Sequence, residues 1–303
     1  MRGALALLAL LLAAFPAGAG TIMHGGTERS YETVVPDGLA LPAPTLFALH
    51  GGGGGIARMR NFSGLDREAA RIGMVVVFPQ GIGGHWNDGR DAPTVRLEQD
   101  GRNTDDTGFL VALATHLAAT GIADPRRTYV TGISNGGMMS LRLACEAAGT
   151  FAAFAPVTAS LPVELTGCRP ARPVPVLLMN GTLDRLILWQ GGPVAGDFPG
   201  DRGRTIAVED TVAHLADANG CVAAPETLPA SDVGNGIRLA ATRRAGCRNG
   251  VEVTLYRFDG MGHRWPDTRT ARMGRAIDLL GPAPATFDAA AALRDFLLRF
   301  RLD

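Results

Sequence analysis

Apolar and polar positions follow two periods along the chain. Gly73–Pro79 (GMVVVFP) is an unbroken apolar run with three valines, as a strand buried on both faces requires. Thr45–His50, Arg127–Ile133, Phe151–Val157 and Val174–Asn180 predict more strands, and Val251–Phe258 predicts a last one by its alternation. Ser30–Val35 predicts a first strand, set apart by Pro36-Asp37-Gly38 and two further prolines. Between strands the period becomes helical. Residues 57–72 carry Met59, Phe62, Leu65, Ala69 and Ile72 at helical spacing. Residues 105–121 place Phe109, Leu110, Leu113 and Leu117 on one face, with Asp105 or Asp106 near the N-cap. Residues 136–148, 205–219 and 287–300 predict further helices. Strand and helix alternate almost throughout, which predicts an α/β fold: a mostly parallel sheet with helices on both faces and a mixed edge at residues 30–50. The Gly/Pro-rich stretch 190–204 predicts a surface loop, and residues 222–250 predict an excursion bracketed by Cys221 and Cys247.

The N-terminus has its own pattern. Met1-Arg2-Gly3, an apolar run from Ala4 to Phe15 and a small-residue exit at Pro16–Gly20 form the three parts of a secretory signal. The run is too short for an ordinary membrane helix, which needs roughly 20 residues. Ala17-x-Ala19 predicts a signal peptide over 1–19 and a single catalytic domain over 20–303, with no membrane attachment after cleavage. The expected location is extracellular or periplasmic. Export makes the four cysteines, Cys145, Cys168, Cys221 and Cys247, legible as two disulfides, for which three pairings exist. The spacing offers no zinc or other metal site. Asp100–Asp106 faintly matches a calcium loop, but Val111 stands where a bidentate Glu is needed, so a helix cap is expected.

Composition narrows the chemistry. Hydrophobic residues make up 46% and charged residues 19%, enough apolar side chain to bury a large core. All 29 bases are Arg, and 29 acids balance them. Without Lys there is no Walker-A loop, Schiff base or Ser-x-x-Lys nucleophile. A neutral balance argues against nucleic acid as partner.

The strongest chemical signal is Gly132-Ile133-Ser134-Asn135-Gly136, a G-x-S-x-G turn between an apolar strand and a helix. That context is the nucleophile elbow: side chains at 132 or 136 would collide with neighbouring backbone, and Ser134 stands above the carboxyl edge of the sheet. The base expected after it is His263, in a glycine-flanked loop (GMGHRWP) after the last strand; His214 lies mid-helix. The acid expected is Asp184, in NGTLD at a strand end, over Asp197, Asp201, Glu209 and Asp210. His50-Gly51-Gly52-Gly53-Gly54-Gly55 matches the loop that supplies oxyanion donors, here the amides of Gly52 or Gly53 and of Asn135; His50 is expected to be structural. Trp86, Trp189 and Trp265 fall in loops at carboxyl strand ends and suggest an aromatic-lined pocket. The predicted reaction needs no cofactor.

Together LHGGGGG (49–55), FPQGIGGHWNDG (78–89), DDTGFL (105–110), RTYVTGISNGGMMS (127–140), NGTLD (180–184) and GMGHRWP (260–266) resemble the secreted polyhydroxybutyrate depolymerase and feruloyl/acetylxylan esterase group of α/β-hydrolases. GGPVAG (191–196) and its spacing to Cys221 add to the likeness. The resemblance implies the α/β-hydrolase fold, the triad Ser134, Asp184 and His263, and the pairing Cys145–Cys168 and Cys221–Cys247. It implies a serine esterase acting on hydroxyalkanoate oligomers or short-chain esters, with plant-wall esters as the alternative and a non-catalytic polymer- or carbohydrate-binding protein as a further one. Two segments depart from it. Asn180-Gly181 stands where HG is common, and Leu186-Ile187-Leu188-Trp189 replaces a Val-Pro-Tyr run that should border the pocket. Many polymer-degrading members add a linker and a polymer-binding module; a single domain is the expectation for this sequence.

Overall fold

The computed structural model describes residues 18–99, 103–271 and 277–303. Its centre is a ten-stranded sheet built from β1 (Gly18–His24), β2 (Thr27–Val34), β3 (Ala43–Leu49), β4 (Val75–Pro79), β5 (Ala123–Ile133), β6 (Ala153–Val157), β7 (Val176–Gly181), β8 (Glu226–Asp232), β9 (Arg238–Arg244) and β10 (Val253–Asp259). The spatial order is β1-β2-β4-β3-β5-β6-β7-β10-β9-β8. The run from β4 to β10 is parallel, and an antiparallel pair of strands extends each edge.

The inner strands have two buried faces, which their composition demands. All of Val75–Pro79 is buried. On β3, Phe47 and Leu49 enter one core with α4 (Asp106–Ala119), α5 (Asn135–Glu146) and α6 (Val208–Ala218). Leu46 and Ala48 enter the other, with α1 (Ile56–Ser63), α2 (Leu65–Ile72) and α7 (Ala289–Leu297). This period of two is what sends successive side chains to opposite faces of a strand. A short helix, α3 (Pro93–Glu98), lies in the connection after β4.

Four local expectations are refined. The helical run over 57–72 is two helices broken at Gly64. Strands β2 and β3 are not neighbours, because β4 lies between them. The excursion bracketed by Cys221 and Cys247 is the β8–β9 hairpin, which pairs with β10 and so widens the sheet. Asp105 is the cap of α4, accepting from the Gly108 amide at 2.8 Å; Asp100–Arg102 of the suggested calcium loop lie outside the described residues. Most of the expected signal segment, residues 1–17, also lies outside them. Gly18 and Ala19 begin β1, opposite Thr33 and Glu32, so cleavage after Ala19 would leave Gly20–His24 to pair with β2. Among the described residues no helix is long and apolar enough to cross a membrane.

Two disulfides join Cys145 to Cys168 and Cys221 to Cys247, the pairing that the family resemblance implies. They close loops with sequence separations of 23 and 26 residues. Loops of this size restrict the unfolded chain by about 3 kcal/mol each. The double variant Cys221→Ser/Cys247→Ser is therefore expected to lose about 3 kcal/mol in urea unfolding. An unchanged midpoint would show that the bridge adds nothing to the stability of the β8–β9 hairpin.

Candidate active site

Three strand ends converge at the carboxyl edge of the sheet. Ser134 follows β5 directly and begins α5, with φ 58° and ψ −120°. A non-glycine residue in this region carries strain of about 1–3 kcal/mol, which the surrounding backbone has to hold. It does so by close packing. A Cβ at Gly136 would overlap the carbonyl oxygens of Leu49 and His50, and one at Gly132 would overlap the Gly136 carbonyl. The elbow therefore sits directly against the end of β3, and the glycine loop after β3 lies beside Ser134.

Asp184 follows β7 and His263 follows β10, strands that are parallel neighbours. Here too backbone meets backbone: a Cβ at Gly181 would overlap the Met261 carbonyl. Leu183 donates its amide to Met261 at 2.9 Å, which ties the two loops together. Both side chains are buried, Asp184 4% exposed and His263 6%. Asp184 Oδ2 accepts from His263 Nδ1 at 2.8 Å. Asp184 Oδ1 accepts from the Leu186 and Ile187 amides, each at 2.8 Å. A carboxylate with all these donors is fixed in place, and its bond to Nδ1 selects the tautomer with a free lone pair on Nε2. The rival acids are engaged elsewhere. Asp197 pairs with Arg185, Asp201 accepts from the Gly203 amide, and Glu209 and Asp210 lie in the first turn of α6. His214 lies on α6, away from these loops, and burial lowers its pKa.

The glycine loop is held from below by imidazoles. His50 is 1% exposed. Its Nε2 accepts from the Gly81 amide at 3.0 Å, so Nδ1 donates to the Gly51 carbonyl at 2.9 Å. His85 Nε2 accepts from the Gly53 amide at 3.0 Å, while its Nδ1 lies 3.1 Å from the Gly83 carbonyl. Of the two expected glycine donors, Gly53 is thus engaged by His85. Gly52 packs between His85 and Asn135.

Asn135, expected only as a backbone donor, also acts through its side chain. Its Oδ1 accepts from the Trp86 amide at 2.8 Å, and its Nδ2 donates to the Trp86 carbonyl at 2.9 Å and to Asp88 Oδ2 at 2.6 Å. Asp88 is in turn paired with buried Arg90 at 2.8 Å. Asp106, fully buried, pairs with Arg29 and accepts from the Asn87 amide at 2.7 Å and the Thr104 hydroxyl at 2.9 Å. These residues carry the 80–90 loop to the elbow. HWNDGR offered the signal, since a loop so dense in polar groups beside apolar Phe78 and Pro79 has to satisfy them internally.

Two cavities meet at Ser134. The larger, about 730 Å3, is lined by His263, Arg58, Met59, Phe62 and Ile133 among others. The smaller, about 320 Å3, is lined by Asn135, Met138, Ile187, Val194, Glu98 and Arg202 among others. Gly52 and Leu186 border both. The aromatic lining expected from the tryptophans is corrected: neither cavity has one in its wall. Trp86 turns under the glycine loop, where its Nε1 donates to the His50 carbonyl at 2.9 Å and its ring packs 4.8 Å from the imidazole. Trp265 is wholly buried in the core beside α7. Trp189 packs against the other core, with the Arg257 guanidinium 5.5 Å above its ring. Large rings in these loops gain more by entering the nearby core than by facing water.

Comparisons with known proteins agree with this architecture. A model of the prolyl oligopeptidase family matches residues 62–174, the stretch that contains the elbow. NocK of Nocardia uniformis subsp. tsuyamanensis, a protein assigned to the esterases, is 31% identical over 292 residues, which cover 91% of this chain and 81% of NocK. Feruloyl esterase B of Piromyces equi is 28% identical over 228 residues, covering 73% of this chain and 39% of that protein. The solved acetyl xylan esterase from Aspergillus awamori superposes with a TM-score of 0.55 at 15% identity, covering 86% of this chain and 98% of that one, and shows the shared fold.

Burial pushes the His50 pKa down from 6.5 to about 4. Between those values the unfolded chain binds a proton that the folded chain refuses, so stability rises with pH and falls on acidification. The loss between pH 7 and pH 4 amounts to about 3 kcal/mol from this group. Thermal midpoints of His50→Asn are expected to fall less steeply over that range than those of the wild type. Parallel pH profiles would remove His50 as the source.

Proposed function

The chain belongs to the α/β-hydrolase esterases, and from that membership we propose that Ser134, His263 and Asp184 are its catalytic triad. The observation that carries the reading is the 2.8 Å bond from buried His263 to buried Asp184, with His263 and Ser134 lining one cavity. His263 Nε2 takes the hydroxyl proton as Ser134 Oγ bonds to the ester carbonyl carbon. The amides of Asn135 and Gly52 face the oxyanion, with the N-terminus of α5 adding positive potential. The proton then passes from His263 to the departing alkoxide, which leaves as alcohol. Water, deprotonated by His263, attacks the acyl-enzyme; the acid is released and Ser134 regains its proton. No cofactor enters these steps. Alkoxides need less help in leaving than amines, which favours esters over amides.

For the substrate, the motifs favour short-chain esters and hydroxyalkanoate oligomers, as a polyhydroxybutyrate depolymerase-like enzyme would use. The similarity to feruloyl esterase B favours a second reading, feruloyl or acetylated plant-wall esters. Two disulfides fit an exported protein, as the N-terminal pattern suggests.

Hydrolysis of p-nitrophenyl butyrate, methyl ferulate, acetylated xylan and a hydroxybutyrate oligomer separates these readings. Ser134→Ala is expected to lose turnover on every ester that the wild type accepts, and activity surviving in it would sink the mechanism. Asp184→Asn is expected to lower kcat by about 10³–10⁴-fold, because the imidazole loses its tautomer and the support of its positive charge. A loss under tenfold would remove Asp184 from the triad. Wild-type binding without turnover would favour a carbohydrate- or polymer-binding protein.

A further inference from the structure

The two cavities at Ser134 are chemically unequal. We propose that the smaller one is the acyl site and the larger one the alcohol site, and that the Glu98–Arg202 ion pair selects acyl groups bearing a hydroxyl. The proposal rests on the triad described above.

The orientation follows from where the second proton must go. The ester oxygen that departs has to lie within reach of His263, since His263 protonates it. His263 lines the larger cavity, whereas the smaller one is lined by Asn135. With the oxyanion on the Asn135 and Gly52 amides, the alkoxy group extends to the His263 side. The acyl chain is left with the opposite cavity.

The smaller cavity has an apolar body and a charged wall. Met138, Ile187 and Val194 are buried and surround the space next to Ser134. Glu98 and Arg202 also line it, with side chains 34% and 26% exposed. Glu98 Oε1 accepts from Arg202 Nη2 at 2.9 Å, and Oε2 accepts from Nη1 at 3.2 Å. The guanidinium holds the Glu98 carboxyl below its usual pKa, so it stays an acceptor. A guanidinium and a carboxylate side by side can donate to and accept from one hydroxyl, while a purely apolar acyl end would desolvate them without return. The class of substrate is a carboxylic ester whose acyl part has a short apolar body and a hydroxyl beyond it. Both 3-hydroxyacyl and hydroxycinnamoyl groups answer that description.

The test uses the kinetic identity of the acyl-enzyme. Esters with one acid and different alcohols form the same intermediate, so deacylation reports the acyl site alone. Val194→Phe is expected to slow deacylation of butyryl-enzyme at least tenfold and to spare acetyl-enzyme. Phe62→Trp is expected to alter acylation according to alcohol size and to leave the deacylation rate as in the wild type. The reverse pattern would overturn the orientation. For selectivity, the wild type is expected to prefer p-nitrophenyl 3-hydroxybutyrate to p-nitrophenyl butyrate, or methyl 4-hydroxycinnamate to methyl cinnamate, by about tenfold in kcat/KM, the worth of one hydrogen bond to a charged group. Arg202→Gln and Glu98→Gln should each reduce that ratio to near one. A wild type without either preference, or a preference that survives both substitutions, would overturn the hydroxyl assignment. Arg202 is partly exposed, so its variant carries the test if Val194→Phe misfolds. Mass analysis of quenched turnovers keeps the two layers apart. An acyl adduct on Ser134 with the wrong selectivity sinks only this proposal, whereas turnover that survives in Ser134→Ala sinks the triad.

Discussion

The site exists because backbone meets backbone at two crossings that leave no room for a Cβ. At the first, Gly136 lies against the carbonyls of Leu49 and His50, so the turn after β5 is pressed onto the end of β3. At the second, Gly181 lies against the carbonyl of Met261, so the loop after β7 is pressed onto the loop after β10. The first contact sets Ser134 beside the Gly51–Gly53 loop, and the second sets Asp184 beside His263. A methyl group at either place would force the backbones apart by more than the margin of a hydrogen bond. The strained φ of Ser134 is tolerable only inside such a clamp. The parallel sheet supplies the frame, since its inner strands point their carboxyl ends the same way and bring these turns to one edge.

A clamp made of backbone needs polar support, and the chain provides it with buried groups that satisfy one another. Asn135 bridges to both backbone groups of Trp86 and to Asp88, Asp88 is held by Arg90, and Asp106 is held by Arg29. Each of these groups alone would be costly to bury; as a connected set they fix the 80–90 loop in one conformation. His50 belongs to the same logic. Its depressed pKa keeps it neutral, which lets one nitrogen donate and the other accept under the glycine loop.

The sequence made the frame and the elements of the site legible, and the reason is local. Apolar periodicity marks inner strands such as Val75–Pro79, and the G-x-S-x-G turn carries its own steric explanation. Asp184 and His263 were readable because each follows a recognisable strand, and the structure brings their side chains together. What local pattern could not show was long-range satisfaction. The side-chain bonds of Asn135 to Trp86 span 49 residues, and the pair of Arg29 with Asp106 spans 77. The tryptophans failed as pocket markers for the same reason. A loop position says where the backbone lies, but the ring turns toward whichever core is in reach, and Trp86 and Trp265 each had one beneath them. The order of β2, β4 and β3 was also out of reach, because it depends on pairings between strands about 30 residues or more apart.

One of the two segments that depart from the resembling family borders both cavities. Leu186 borders both, and Ile187 lines the smaller. Their amides also hold the Asp184 carboxylate, so the backbone of this segment serves the acid while its side chains shape the space around Ser134. The two duties are separable, since a backbone amide is the same in every residue but proline. Side chains here can change without disturbing the acid, provided that the amides stay where they are. A proline at 187, in contrast, would remove one donor to Asp184 outright. Variation in this segment is therefore free to alter the space around Ser134 while the bonds to Asp184 stay constant. The departures Leu186 and Ile187 thus lie where the walls of the cavities at Ser134 meet the amides that hold the Asp184 carboxylate.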